Sequence, residues 1–335
     1  MTKFARATSL RDQAVGCMLA AAYGDMLGAA VEFLSWREIK SRYGDNGIQV
    51  PAPSFGFDYP VITDDTQMAI ATAVGILIPN NSVSQMLGNI WQAYLDWYQT
   101  QSDPDESRAP GLTCTGSIRG GVMGSTVKPL NDSSGCGGIM RVHPVGLKLH
   151  TNPTLAFEVG METAALTHGS PNAYVPSGLM AMAIAHQLNG KTIQESWQAT
   201  WQYLQMRMIP EYSEVMHRMK QSVTACIPDG ADLGEVIDSQ VGLSDNGQGG
   251  GWYGHDALAI ALFAVSRFWN NPIRAIQVAV NHTGDSDSTG SIAGAILGAH
   301  YGAEFLLQEL KTHGVEIERH SELEDLADQL VARGS

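Results

Sequence analysis

The chain has 335 residues, 44% of them hydrophobic and 16% charged, so it can bury a substantial core in one large domain or two smaller ones. A formal net charge of -14 excludes nucleic acid as a default partner, because phosphate binding wants a basic surface. The same charge opposes any anionic ligand at long range and leaves recognition to local devices: metal ions, helix N-termini or backbone N–H groups.

Helical patterns dominate from the start. Residues 11–33 read as the first helix, with Gly16, Ala20, Gly24 and Gly28 on one face. The stretch VGCMLAAAYGDML could pass for a signal-peptide core, but Asp25 interrupts it and Arg11 and Asp12 precede it closely. Residues 47–62 are rich in Pro and Gly and read as an irregular loop. Helical spacing resumes over 66–79 and 84–99, and 102–117 reads as a second loop. Further helices are expected over 153–167, 174–189, 192–207 and 213–224. A long loop over 227–251, with room for one short helix, precedes helices at 254–269 and 271–280. The last two run over 288–310 and 321–333, the latter with Ser321 as its expected N-cap. The strand signal is weak and no linker divides the chain. The expectation is one all-α domain over 1–335, with a core of about 12–310 and a C-terminal helix at 321–333.

No apolar run is long enough to span a bilayer, so no membrane role is expected. Cys17, Cys114, Cys136 and Cys226 form no CxxC pair, which suits a reduced, cytoplasmic protein.

Two acidic clusters stand at helix starts. The first is TDDTQMA, with Asp64 and Asp65 between threonines; the second is GDSDSTG, with Asp285 and Asp287 among small hydroxyl residues. A carboxylate at a helix N-terminus is stabilised by the macrodipole, so each alone reads as a cap. Together they resemble two halves of a hard-cation cage, since closely packed carboxylates repel unless a cation or proton compensates. Glu32, at the end of the first helix, is a third source of oxygen, and no His sits with these clusters, which argues against zinc. Behind Asp287, Gly290, Gly294, Gly298 and Gly302 recur every fourth position. Each costs about 0.8–1 kcal/mol relative to Ala inside a helix, which implies that another backbone packs against that face and fixes the carboxylates.

With GDMLGAAVEF, TDDTQMA, SGCGGIMRVHPVGL, THGSPNAYVPSG, GGGWYGHDALAIAL and GDSDSTGSIAGAILGAHYG in this order, the chain resembles the ADP-ribosylglycohydrolase family from about residue 12 to about 305, closest in style to its dinitrogenase-reductase-activating branch. The resemblance implies an orthogonal all-α bundle with a dinuclear site for two magnesium or manganese ions. It implies a hydrolase that frees ADP-ribose from a modified side chain, most simply ADP-ribosyl-arginine on a protein. Thr63, Asp64 and Asp65 match the family's first metal motif, and Asp285 and Asp287 match the second. Ser288 stands where the family usually has a metal-binding threonine, and Glu32 matches an acidic residue bordering the metals. On this reading Asp65 or Asp285 is the general base, and Glu32 protonates the leaving group or gates the metals. Cys136 replaces the Asn of a Gly-Asn-Gly turn, and APGLTCTGSIRGG stands where many nitrogen-fixation-type members have Phe-Asp-Ile-Gly.

Other residues carry two readings each. Gly135, Gly137 and Gly138 form either a plain loop or a set of N–H donors for ribose or pyrophosphate. Arg141 grips phosphate or ties the loop to an internal carboxylate. His168 is structural or lies near the terminal ribose or phosphate, and Ser177 caps a helix whose N-terminus could face phosphate. Trp252 and Tyr253 anchor their loop or stack on adenine. Trp91, Trp97, Trp197 and Trp201 sit on helical patterns and are expected in the core. Two other classes of function remain: a protein that binds ADP-ribose or neutralises an ADP-ribosylating toxin without turnover, and a dinuclear phosphoesterase or a hydrolase of another ADP-ribose derivative.

Overall fold

Hydroxyl and amide side chains open many of the helices. A computed structural model describes residues 4–207, 209–225, 227–228, 230–242 and 250–332; Cys226, Gly249, residues 243–248 of the long loop and residue 333 of the expected last helix lie outside the described residues. In chain order the helices are α1 (Leu10–Ala29), α2 (Trp36–Tyr43), α3 (Asp64–Leu77), α4 (Val83–Thr100), α5 (Leu112–Arg119), α6 (His143–Lys148), α7 (Pro153–Ala165) and α8 (Pro171–Leu188). They continue as α9 (Ile193–Arg207), α10 (Ser213–Thr224), α11 (Leu233–Val236), α12 (Gly254–Phe268), α13 (Pro272–Val280), α14 (Ser286–Tyr301), α15 (Glu304–His313) and α16 (His320–Val331). Ser9, Ser35, Thr63, Ser82, Asn152, Ser170 and Asn271 each accept an N–H from the turn they open. Among the described residues there is no β-strand, only an isolated bridge between Gly135 and Tyr253. No described helix is long and apolar enough to cross a membrane. The fold is all-helical, as the periodicity indicates.

The two glycine faces meet. A Cβ on Gly294 would stand 1.9 Å from the carbonyl oxygen of Ala20, one on Gly298 2.0 Å from that of Gly16, and one on Gly24 2.0 Å from that of Gly290. Helices α1 and α14 therefore touch backbone to backbone through the centre of the molecule, and any side chain in the seam would push them apart. The stretch that could pass for a signal core is the buried body of α1.

Several expectations need correction. The helix expected over 288–310 is two. It breaks at Gly302, whose φ of +72° suits glycine, and Asp12 fills the corner by accepting the Ala303 N–H at 3.0 Å. Ser177 is not a cap: Ser170 caps α8, and Ser177 lies buried within that helix, donating to the Ala173 carbonyl at 3.0 Å. Ser321 does not cap α16, which starts at His320 after Arg319 in a left-handed conformation (φ +58°). The loop expected over 102–117 contains the start of α5, and α2 and α6 fall in stretches assigned no helix. Trp91 and Trp97 are core, but Trp197 and Trp201 line an apolar groove between α9, α10 and α12.

Candidate active site

The N-termini of α3 and α14 converge because α1 holds both. Asp25, buried on α1, accepts the N–H of Thr63 at 3.1 and 3.0 Å and that of Thr66 at 3.2 Å, and also takes the Thr66 hydroxyl. It serves the first turn of α3 from another helix. The Thr63 hydroxyl caps the same turn by accepting the Asp65 N–H at 3.2 Å, which leaves Asp64 and Asp65 in the first turn. At the other end of the seam a Cβ on Gly28 would lie 2.3 Å from the Asp287 nitrogen, so the end of α1 rests on the start of α14. Asp285 caps α14 by accepting the Ser288 N–H at 3.2 Å, and Asp287 accepts that same N–H at 3.0 Å. Beyond α1, the Phe33 N–H reaches the Gly284 carbonyl at 3.0 Å and places Glu32 beside Asp287.

Asp64, Asp65, Asp285, Asp287, Ser288 and Glu32 line one cavity of about 390 Å³, within the range of small-molecule sites. Its second wall is the turn Gly135–Cys136–Gly137 with His168 beneath it, and Trp252 and Phe33 stand at the rim. The glycine turn is fastened to the start of α12: Cys136 N–H donates to the Trp252 carbonyl at 3.0 Å and Gly254 N–H to that of Ser134 at 2.9 Å. Trp252 and Phe33 stack with centroids 5.3 Å apart.

The electrostatics are one-sided. Burial, then the Asp287 charge, pushes Asp25 up to about 7, and the same two causes raise Glu32, Asp64 and Asp65. Asp287 is raised by burial and by Asp285; Asp285 is raised by burial, against hydrogen bonds that lower it. Every ion pair seen among the described residues lies elsewhere. Such a cluster exists only if protons or cations compensate it. The donor set suits a hard cation, since it is all oxygen and Asp65 Oδ2 is buried with no hydrogen-bond partner. As the side chains stand, no three His, Cys, Asp or Glu groups among the described residues are arranged to hold a metal ion, so ligation requires the carboxylates to turn inward.

The remaining expected residues divide. Gly135, Gly137 and His168 line the cavity, while Gly138 packs below it, its absent Cβ 2.6 Å from that of Ala164. Thr63 is buried behind Asp65, off the wall. Ser177 is beneath Gly138, away from the cavity, so α8 aims no N-terminus at a ligand through it. Tyr253 is also off the wall: its ring stacks on His255 at 5.9 Å. Arg141 is fully buried, its guanidinium 4.3 Å above the Tyr94 ring, and it pairs with no carboxylate among the described residues. Sequence reasoning missed Asp25, Phe33 and Cys114 as parts of the site. A lone Asp on a glycine-rich helix face was the available signal for Asp25; Phe33 and Cys114 gave none.

A model of the ADP-ribosylglycohydrolase family matches residues 6–335. The chain belongs to this family. It is accordingly a hydrolase, and the family acts on ADP-ribosylated substrates. Relatives include the ADP-ribosyl-[dinitrogen reductase] glycohydrolase of Rhodospirillum rubrum, 23% identical over 298 residues covering 88% of each chain. Another is the ADP-ribosylarginine hydrolase Tri1 of Pseudomonas putida, 24% identical over 303 residues, 87% of this chain and 71% of that one. A solved structure described as an ADP-ribosylglycohydrolase-related protein complex has the same fold, with a TM-score of 0.70 at 23% identity over 96% of this chain and 98% of the other. In this chain the two acidic helix starts and the glycine turn line one cavity.

Proposed function

We propose that this hydrolase cleaves the bond between ADP-ribose and a modified protein side chain, with ADP-ribosyl-arginine as the linkage. The observation that carries the reading is the buried carboxylate cluster, without a countercharge among the described residues and open to a cavity with a stacked aromatic pair at its rim. The family is generally metal-dependent, and Thr63, Asp64, Asp65, Asp285, Asp287 and Ser288 are the residues that would hold two divalent cations; the Thr63 hydroxyl oxygen accepts one N–H and keeps a second lone pair. Bound there, magnesium or manganese supplies Lewis acidity and charge stabilisation at a ribose diol.

The protein's own groups supply the rest. Asp65 Oδ2 makes no hydrogen bond, so it is free to take a proton from water. Asp285 is occupied by the Ser288 N–H and the Cys136 thiol, which makes it the weaker candidate for that role. Glu32 has its proton held by burial and by Asp287, Asp285 and Asp64, and so can deliver it to the leaving group. The segment from Ala109 to Cys114 lines the cavity without an acidic residue. The Trp252–Phe33 pair offers the surface for adenine, and the protein works where its reduced thiols persist, in the cytoplasm. Incubation with arginine-linked, serine-linked and O-acetyl-ADP-ribose, read by mass spectrometry with and without magnesium, tests the reading. Release from the arginine linkage alone supports it. ADP-ribose binding without release from any substrate overturns it and leaves the binding or toxin-neutralising alternative.

A further inference from the structure

Beneath the glycine turn runs a short chain of hydrogen bonds that the proposed chemistry does not use. Buried Arg141 donates to Thr167 Oγ1 at 2.7 Å, and that oxygen lies 2.8 Å from His168 Nδ1. A guanidinium can only donate, so Thr167 accepts from Arg141 and its own proton must go elsewhere. The one other acceptor in reach among the described residues is the Ala164 carbonyl, 3.4 Å away. That oxygen already accepts the N–H groups of Thr167 and His168 at 3.1 and 3.0 Å, which occupies both lone pairs. The hydroxyl proton is therefore directed to Nδ1, and the imidazole carries its own proton on Nε2.

The Nε2 edge is the one the fold leaves open. His168 lines the cavity, and no group among the described residues hydrogen-bonds its Nε2. A Cβ on Gly135 or Gly137 would come within 3.2 Å of that nitrogen, so the glycines keep the imidazole edge clear. Because the guanidinium is two hydrogen bonds away from Nδ1, through the Thr167 hydroxyl, a second positive charge on the ring is disfavoured. Burial and Arg141 together hold the His168 pKa down to about 3, consistent with a neutral ring.

We infer that Arg141 and Thr167 are positioning residues that set the tautomer of His168, making it a neutral Nε2–H donor presented to an oxygen acceptor of the ligand. A neutral donor has a specific advantage here. An imidazolium would be drawn into ion pairs with the carboxylates across the cavity, whereas an uncharged N–H stays available to the ligand. The ligand half of the inference rests on reading the cavity as an ADP-ribose site; the tautomer half does not.

The test uses the full chain with saturating magnesium. Nitrogen-15 NMR of labelled histidines, with His168 assigned by its loss in His168→Gln, reads the tautomer; titration calorimetry reads ADP-ribose affinity. Wild type and Thr167→Ser should both show the proton on Nε2. Thr167→Val keeps the shape but removes the hydroxyl, and should shift the population toward Nδ1–H and weaken ADP-ribose about tenfold, the scale of one neutral hydrogen bond. His168→Gln, which retains an N–H at that edge, should bind better than His168→Leu. A wild-type ring protonated on Nδ1, or Thr167→Val with unchanged tautomer, overturns the inference. A wild type with the Nε2 proton that binds no ADP-ribose overturns the ligand half and the proposed function together, and leaves the tautomer assignment in place.

Discussion

The Cys136 thiol donates to Asp285 Oδ2 at 2.7 Å, across the 149 residues that separate them. Cys136 stands where the family resemblance places an Asn, so a thiol takes over the position facing the α14 cap. Its hydrogen bond is one of those that lower the Asp285 pKa against burial. Removing it in Cys136→Val should leave Asp285 more protonated and weaken magnesium or manganese binding about 10–100-fold, as losing a group that orients a ligand does. Cys136→Asn returns a donor and should retain affinity. Calorimetric titration of both variants checks the pair of outcomes.

The seam between α1 and α14 makes a sharp stability prediction. In Gly294→Ala a single methyl would meet the Ala20 carbonyl at 1.9 Å, an obstruction of backbone and not of a side chain that could turn away. Destabilisation of about 1–3 kcal/mol is expected, with loss of metal affinity as the helix carrying Asp285 and Asp287 shifts. Gly88, inside α4 with nothing within 4 Å of its added Cβ, is the control: Gly88→Ala should stabilise by about 0.4–1 kcal/mol. Denaturant melts of both variants decide whether the seam or glycine content in general matters.

The seam and the two acidic helix starts were legible because each is a local pattern: small residues every fourth position, and carboxylates after a hydroxyl. What escaped was set by tertiary context. The seam's own geometry bends the chain at Gly302, which the uninterrupted apolar spacing over 288–310 conceals. Ser170 and Ser177 are both plausible caps before an apolar run, and the prolines mislead: Pro171 opens α8, while Pro176, which reads as a helix start, sits inside it. For Arg141 the sequence left phosphate or an internal carboxylate as the partner. Here Tyr94, Thr167, Met68 and Cys114 surround it instead.

Asp65 should show opposite effects on stability and activity. Its Oδ2 is buried without a partner, and its carboxyl is raised by burial, Asp287, Asp25, Asp64 and Asp285. Asp65→Asn removes the cost of keeping this buried carboxyl beside the others at nearly constant shape. The chelated variant should melt higher than chelated wild type, gain less from magnesium, and lose hydrolysis by about 10²–10⁴. Paired thermal melts and ADP-ribose release assays read both effects.

Acidity gives a further handle. Asp25 keeps its proton up to about 7 in the folded chain, against an ordinary value of 3.8. The native state then binds more protons than the unfolded chain across that window, so this contribution to stability falls as pH rises from about 4 to 7. Buried His143 and His168, pushed down to about 3, act in the other direction and cost stability as pH falls below 6.5. The imidazoles act with or without metal, so the difference between the two melts isolates the carboxylates. Since a divalent cation competes with their protons, magnesium should raise the melting temperature more at about pH 8 than at about pH 5. Equal shifts at both would count against metal binding at this cluster.

Phe33 offers a way to separate strain from recognition at the cavity rim. It is a non-glycine residue at φ +66°, 61% exposed, and its ring stacks on Trp252. A bulky side chain in the left-handed region costs of order 1–3 kcal/mol, and exposure leaves little burial to offset it. The turn after α1 must take this conformation to bring Glu32 beside Asp287 while the Phe33 N–H reaches Gly284. Phe33→Gly keeps the turn and relieves the strain, so the protein should melt no lower than wild type. If the aromatic pair holds adenine, the same variant should bind ADP-ribose more weakly by about 1–3 kcal/mol, as other proteins do when a stacking ring is removed. Trp252→Ala should lose affinity by a similar amount without the gain in stability, and neither change should disturb magnesium binding. Calorimetry at saturating magnesium with ADP-ribose and with ribose 5-phosphate distinguishes the outcomes, because only the ligand that carries adenine should register the loss. An unchanged ADP-ribose affinity in both variants would remove adenine from the rim and leave the carboxylate site untouched.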